Sequence, residues 1–131
     1  MSLSALNTAI YSRIGGTATA AGTACFFLKA PDAQPLPYVI WDYVSDIDEN
    51  LTSNRTRNDV VFIRAYAASQ SAAGSIDAQI DALVHDKPFT VTGWGTFWTR
   101  RENGYSLPEI DQSGRQLFMA GSEYRIRLDK E

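Results

Sequence analysis

Histidine, cysteine and carboxylate side chains are the usual carriers of chemistry, and in this sequence they are few and scattered. The single histidine, His85, ends an apolar helical pattern just before Asp86-Lys87-Pro88. No nucleophile stands at a spacing that would complete a Ser-His-Asp or Cys-His arrangement with it. A cationic imidazole there would favour the negative end of a helix, and that reading is preferred to a general base. Asp77 and Asp81 lie one helical turn apart and could share a cation. The same spacing puts them on a wet face opposite Ile76 and Ile80, which is the expectation. Asp42, Asp46, Asp48 and Glu49 form a second acidic group without the glycine and final glutamate of a calcium-binding loop. Cys25 is the only cysteine, so an intrachain disulfide and a Cys-rich zinc site are both excluded. It reads as a small buried hydrophobe. Gly15-Gly16 follows a helical pattern rather than a strand, so it is no nucleotide-binding turn. The expectation is a protein with no catalytic residue, no cofactor and no metal.

Trp94, Phe97, Trp98, Arg100 and Arg101 have the composition of a stacking platform for single-stranded nucleic acid. The competing reading is a sheet whose aromatics fill a core and whose arginines mark a protein interface. A formal net charge of −3 favours the second, because general nucleic-acid binders carry a basic excess.

The elements that must position these residues follow from periodicity. Leu3, Leu6, Ile10 and Ile14 recur at spacings of three and four, an apolar helical stripe that Ser2 or Ser4 could cap and Gly15-Gly16 ends. Residues 17–23 read as a loop and residues 24–28 as a short strand. Pro35-Leu36-Pro37 then stiffens the entry to a β-branched and aromatic run, Tyr38 to Val44. A second such run, Asp59 to Tyr66, predicts an antiparallel pair at the centre of one sheet. Arg64, in that otherwise apolar strand, is either paired at a subunit interface or snorkelling. Between the runs, residues 45–58 read as a long polar loop, acidic in its first half and basic in its second. It is either a solvated hairpin tip or a contact arm for a partner. Ser69 or Ser71 caps a second helix, whose buried stripe is Ala73, Ile76, Ile80, Leu83 and Val84. Residues 89–91 start a strand that continues over 93–101, and the glycines beside Trp94 suggest a bulge. A turn-rich excursion is expected over 102–115. A last strand then carries Tyr124, Ile126 and Leu128 on one face and Glu123, Arg125 and Arg127 on the other.

The predicted fold is α+β: a single antiparallel or mixed sheet of four to five strands with two helices packed on one face. At 131 residues the chain is expected to form one domain, residues 1–131. The N-terminal residues lack the pattern of a signal peptide, and no apolar run approaches the length of a membrane span, so a cytosolic product with no membrane partner is expected.

Taken in order, these motifs resemble the tail-completion, or tail-terminator, proteins of long-tailed bacteriophages and prophages. The likeness runs from Leu3 to Leu128: the first helix, the Leu36-Pro37-Tyr38-Val39-Ile40 strand, the strand from Val60 to Tyr66, the Ser69/Ser71-capped helix, and the turn of residues 111–115 before the last strand. Residues 17–24 and the length of the 102–114 excursion depart from the family pattern. The resemblance implies a virion structural protein rather than an enzyme. It implies a ring, commonly of six subunits, that caps the head-proximal end of the tail tube, ends its polymerisation and meets head-completion proteins. Assembly would take place in the host cytoplasm, with DNA only as passing cargo. A head–tail connector subunit and, further off, a single-stranded nucleic-acid module are the alternatives. Under this reading Asp46, Asp48 and Glu49 are candidates to meet Arg55, Arg57, Arg100 or Arg101 of a neighbour, with Arg64, Arg125 and Arg127 as further interface candidates. Asp42, or Asp77 with Asp81, would contribute to an acidic channel lining.

Overall fold

The computed structural model describes residues 3–16, 19–31, 33–49, 56–111 and 113–130. The order of elements is α1 (Leu3–Ile14), β1 (Cys25–Phe27), β2 (Tyr38–Glu49), β3 (Thr56–Ala67), α2 (Gln70–Val84), β4 (Trp94–Ile110) and β5 (Gln116–Lys130). The strands form one five-stranded sheet in the order β1-β2-β3-β5-β4. Only β1 runs parallel to its neighbour; the remaining pairs are antiparallel. The expected α+β architecture with a mixed sheet is what the chain adopts.

Alternation along the strands decides which side the helices take. Val39 and Trp41 on β2, Val61, Ile63 and Ala65 on β3, and Tyr124, Ile126 and Leu128 on β5 all point to one face. There they meet Leu6, Ile10 and Ile14 of α1 and Ile76, Ile80 and Val84 of α2 in one buried cluster. The opposite face carries a smaller cluster of Tyr38, Ile40, Tyr66, Leu117 and Met119, over which Phe26, Ala30 and Leu36 pack. Gly121 lies on that face, opposite Arg64. A Cβ there would stand 2.8 Å from the Phe62 ring and 2.9 Å from the Ile63 carbonyl oxygen, so the close approach of β3 and β5 requires glycine.

Both helix ends are set by local chemistry. Gly15 N–H donates to the Tyr11 carbonyl at 2.8 Å, and Gly16 turns the chain away with φ of 71°. At the other helix the Ser69 hydroxyl accepts from Ala72 N–H at 3.2 Å, as its cap position predicts. Of the other expected caps, Ser4 lies inside α1 and Ser71 inside α2, and Ser2 is outside the described residues. Arg13 latches the two helices together. Its guanidinium donates to the carbonyls of Leu83 (3.0 Å), Lys87 (3.3 Å) and Pro88 (2.8 Å) and lies over the Phe89 ring. A cation there also complements the negative end of α2.

Four expectations are corrected. Residues 45–49 and 56–58 are strand rather than loop: β2 continues to Glu49 and β3 begins at Thr56, and residues 50–55 lie outside the described residues. The polar composition misleads because charged residues here occupy paired strand positions, such as Asp48 opposite Arg57. Residues 102–115 are likewise mostly strand, with the chain reversing only over 111–115. Asp111 builds that turn, its carboxylate accepting from Ser113 N–H, Ser113 hydroxyl, Arg115 N–H and Arg115 Nε. Finally, Asp77 and Asp81 do not lie on a wet face; they point at the sheet, as set out below. The expected strand start at 89–91 is reduced to one bridge between Val91 and Trp94.

Candidate functional site

The residues with chemical potential fall into two groups, one between α2 and the sheet and one on the helix-free face. In the first, Ser122 on β5 donates its hydroxyl to Asp77 at 3.0 Å, and the Tyr124 hydroxyl donates to Asp81 at 3.2 Å. Arg101 on β4 reaches in from the sheet edge, donating Nε to the Ser122 hydroxyl at 2.9 Å and standing 4.0 Å from Asp81. His85 completes the seam: its Nδ1 accepts the Arg101 backbone N–H at 3.0 Å, and its Nε2 faces the Asp86 carboxylate at 3.3 Å. Asp86 N–H donates to the Thr99 carbonyl at 2.7 Å. His85 and Asp86 thus cover the outer backbone groups of β4 at Thr99 and Arg101, a structural task rather than the acid–base one weighed above.

Burial lifts the Asp77 carboxyl above its ordinary range, and Asp81 adds to the lift, against the Ser122 hydrogen bond and the Arg101 guanidinium. The folded state therefore binds the Asp77 proton more tightly than the unfolded chain does. Its contribution to stability is fullest below about pH 4 and is lost as pH rises through the raised value. The Asp77→Asn variant, which keeps an acceptor for Ser122, is expected to equal or exceed the wild type in thermal stability at pH 7. The difference should close toward pH 4; a variant clearly less stable at pH 7 would show that the Arg101 attraction outweighs burial. Burial also pushes the Cys25 thiol up to about 11, and its Sγ hydrogen-bonds only the Ile14 and Gly22 carbonyls among the described residues while lying in the helix-side core, so Cys25 is a packing residue.

The second group stands on the other face. Arg100 and Arg125 are directly opposite each other across β4 and β5, and Trp98 lies opposite Arg127 one step along. The Arg100 guanidinium stacks over the Trp98 ring at 5.4 Å and stands 3.7 Å from Asp86, while Arg125 Nε donates to Glu102 at 2.5 Å. Arg100 is 64% exposed and Arg125 36%. Trp94 does not join Trp98: it is buried with the helix-side core, beneath Arg57. Among the described side chains, Trp94 and Arg101 therefore lie on the helix side and Trp98 and Arg100 on the other, so these four form no shared platform for bases; the Phe97 side chain lies outside the described ones.

The remaining interface candidates separate clearly. Arg57 is buried, 3.4 Å from Asp59, and is engaged within the chain. Arg64 donates to Asp42 at 3.2 Å across β2 and β3, which also engages the carboxylate considered for a channel lining. Arg127 is half-buried opposite Asn58. Asp46, Asp48 and Glu49 lie along the far half of β2, and Arg55 is outside the described residues. The structural roles of Arg13 and Asn7, whose side-chain oxygen accepts from Trp41 Nε1 at 3.0 Å and the Tyr43 hydroxyl at 2.6 Å, carry no sequence signal because their partners are distant in the chain. Among the described residues no group of three or more His, Cys, Asp or Glu is placed to hold a metal, and no helix is long and apolar enough to cross a membrane.

These features define a small α+β protein with one arginine-bearing sheet face. The family model for Tail completion protein gp17 matches residues 5–129, and the chain belongs to that family. It is thus a bacteriophage virion protein with a structural and assembly role in the tail. A search of the curated proteins finds no match. Among solved structures, a chain from the virion of a native gene transfer agent particle shares the fold with a TM-score of 0.79 at 13% identity, covering 97% of this chain and 96% of that one.

Proposed function

We propose that the chain, acting as one domain, assembles into a closed ring of six subunits at the head-proximal end of the tail tube. The ring ends tube polymerisation and offers the surface on which head-completion proteins dock. The observation that carries this reading is the family match across residues 5–129, nearly the whole chain. The similar chain from a gene transfer agent virion supports it, since that protein is itself part of an assembled particle. A closed ring needs a heterologous contact, with two different surfaces of one chain meeting on its neighbour. Assembly in the host cytoplasm, with DNA passing as cargo, accompanies this role.

The test is native mass across a concentration series, with and without magnesium, followed by electron microscopy of tail tubes grown with and without the protein. One discrete oligomer near six subunits, and tubes that stop growing with the protein at one end, are expected. A strict monomer that leaves tube length unchanged would overturn the reading.

A further inference from the structure

Where the β1–β2 connection meets the turn before β5, the helix-free face holds an open pocket of about 550 Å³. Its floor is apolar, made by Tyr38 and Ile40, alternate residues of β2 that are each only 8% exposed. Ala30 and Pro31 of the connection stand on one side, and Asp111 and Arg115 of the turn on the other. Arg115 ties the two sides together, donating Nη2 to the Gln34 carbonyl at 3.1 Å and Nε to Asp111 at 2.9 Å. An apolar floor with a few polar groups around it is the usual form of a small-ligand site.

The groups left free around the floor define what the pocket takes. Tyr38 is more than nine-tenths buried, yet its hydroxyl has no hydrogen-bond partner among the described residues. The strongest charges acting on that hydroxyl are Arg115 and then Asp111, so it lies toward the turn side of the pocket. The Lys29 ammonium on the rim and Arg115 Nη1 are also without partners among the described residues. The Asp111 carboxylate, by contrast, already accepts four hydrogen bonds within its turn. Among the described side chains, Lys29 and Arg115 against Asp111 leave one positive charge in excess, which matches a carboxylate better than a doubly charged phosphate monoester. We propose that this pocket binds a carboxylate of a partner protein set beside an apolar side chain, as at a C-terminal leucine or at a glutamate flanked by one. The carboxylate accepts from Lys29, Arg115 Nη1 and the Tyr38 hydroxyl, while the apolar side chain rests on Ile40 and the Tyr38 ring. The pocket lies within one subunit, so this binding does not depend on the ring.

The experiment titrates the full chain by calorimetry with three acetylated peptides: Ala-Ala-Leu with its free α-carboxylate, the same peptide amidated, and amidated Ala-Glu-Leu, whose carboxylate is on a side chain. At least one carboxylate peptide is expected to bind, and the neutral one at least about tenfold more weakly. Whichever carboxylate binds more tightly identifies the source. Lys29→Gln and Tyr38→Phe are each expected to weaken the carboxylate peptide at least about fivefold and to leave the neutral one unchanged. Tyr38→Phe keeps the ring that stacks on Tyr66 at 5.1 Å, and circular dichroism verifies that both variants fold. Equal affinity of wild type and both folded variants, equal binding of the neutral peptide, or no binding of any peptide at millimolar concentration would overturn the assignment. Phenyl phosphate binding more tightly than both carboxylate peptides would give the pocket to a phosphate ester and overturn it as well.

Discussion

Replacing Arg57 with alanine is expected to cost about 3–5 kcal/mol of stability, the loss typical of breaking a buried ion pair from one side. The side chains of Arg57 and Asp59 are 4% and 0% exposed and 3.4 Å apart, and the guanidinium lies 5.9 Å from the Trp94 ring centroid. Removing Arg57 takes this cation away from the Asp59 carboxylate in a low-polarity setting and takes contact area from Trp94. Replacing both, Arg57→Met with Asp59→Leu, should recover most of the loss, since an apolar pair of similar volume carries no desolvation cost. Urea unfolding at pH 7 measures both, provided the slope stays constant. A loss below about 1 kcal/mol for Arg57→Ala would mean that water reaches Asp59 and that the pair behaves as a surface one.

The second large effect is expected at Ile63. It sits midway along β3, fully buried on the helix side, opposite Trp41 on β2 and Ser122 on β5. Ile63→Ala removes methyl groups from a place where sheet and helix side chains converge, and about 2–5 kcal/mol is expected from lost transfer energy and the cavity left behind. Its neighbour provides a control. Arg64 points to the other face, its ion pair with Asp42 partly exposed, so Arg64→Ala should cost about 1 kcal/mol or less. Equal losses at the two positions would contradict the assignment of faces.

The reach of sequence reasoning can be judged from the same residues. The Leu6-Ile10-Ile14 and Ile76-Ile80-Val84 stripes and the alternation through Tyr124, Ile126 and Leu128 are local signals, and each marks its element and its buried face. The Ser69 cap is local too, and it is where expected. What failed was the use of polarity to mark loops. Residues 45–49 and 56–58 are polar but pair across a long hairpin, and a bulge at Val44 breaks the alternation that would have revealed them. Residues 102–110 fail for the same reason: Asn103-Gly104 and Pro108 are turn residues by type but sit here on an edge strand, where a missing donor is tolerated. At the candidate interface the arginines were legible as a set. Their sorting into buried Arg57, engaged Arg64 and exposed Arg100 depends on partners far along the chain, and so required the fold.

The covering of β4 by His85 and Asp86 also bears on solubility. A long edge strand invites other chains to add to it, and such recruitment leads to precipitates and fibres. Here the turn after α2 blocks the edge at Thr99 and Arg101, leaving residues 103–110 with Tyr105, Leu107 and Ile110 exposed beside them. Within that remaining stretch stands Pro108, which has no N–H to offer an incoming strand. The chain thereby keeps its most apolar strand margin interrupted.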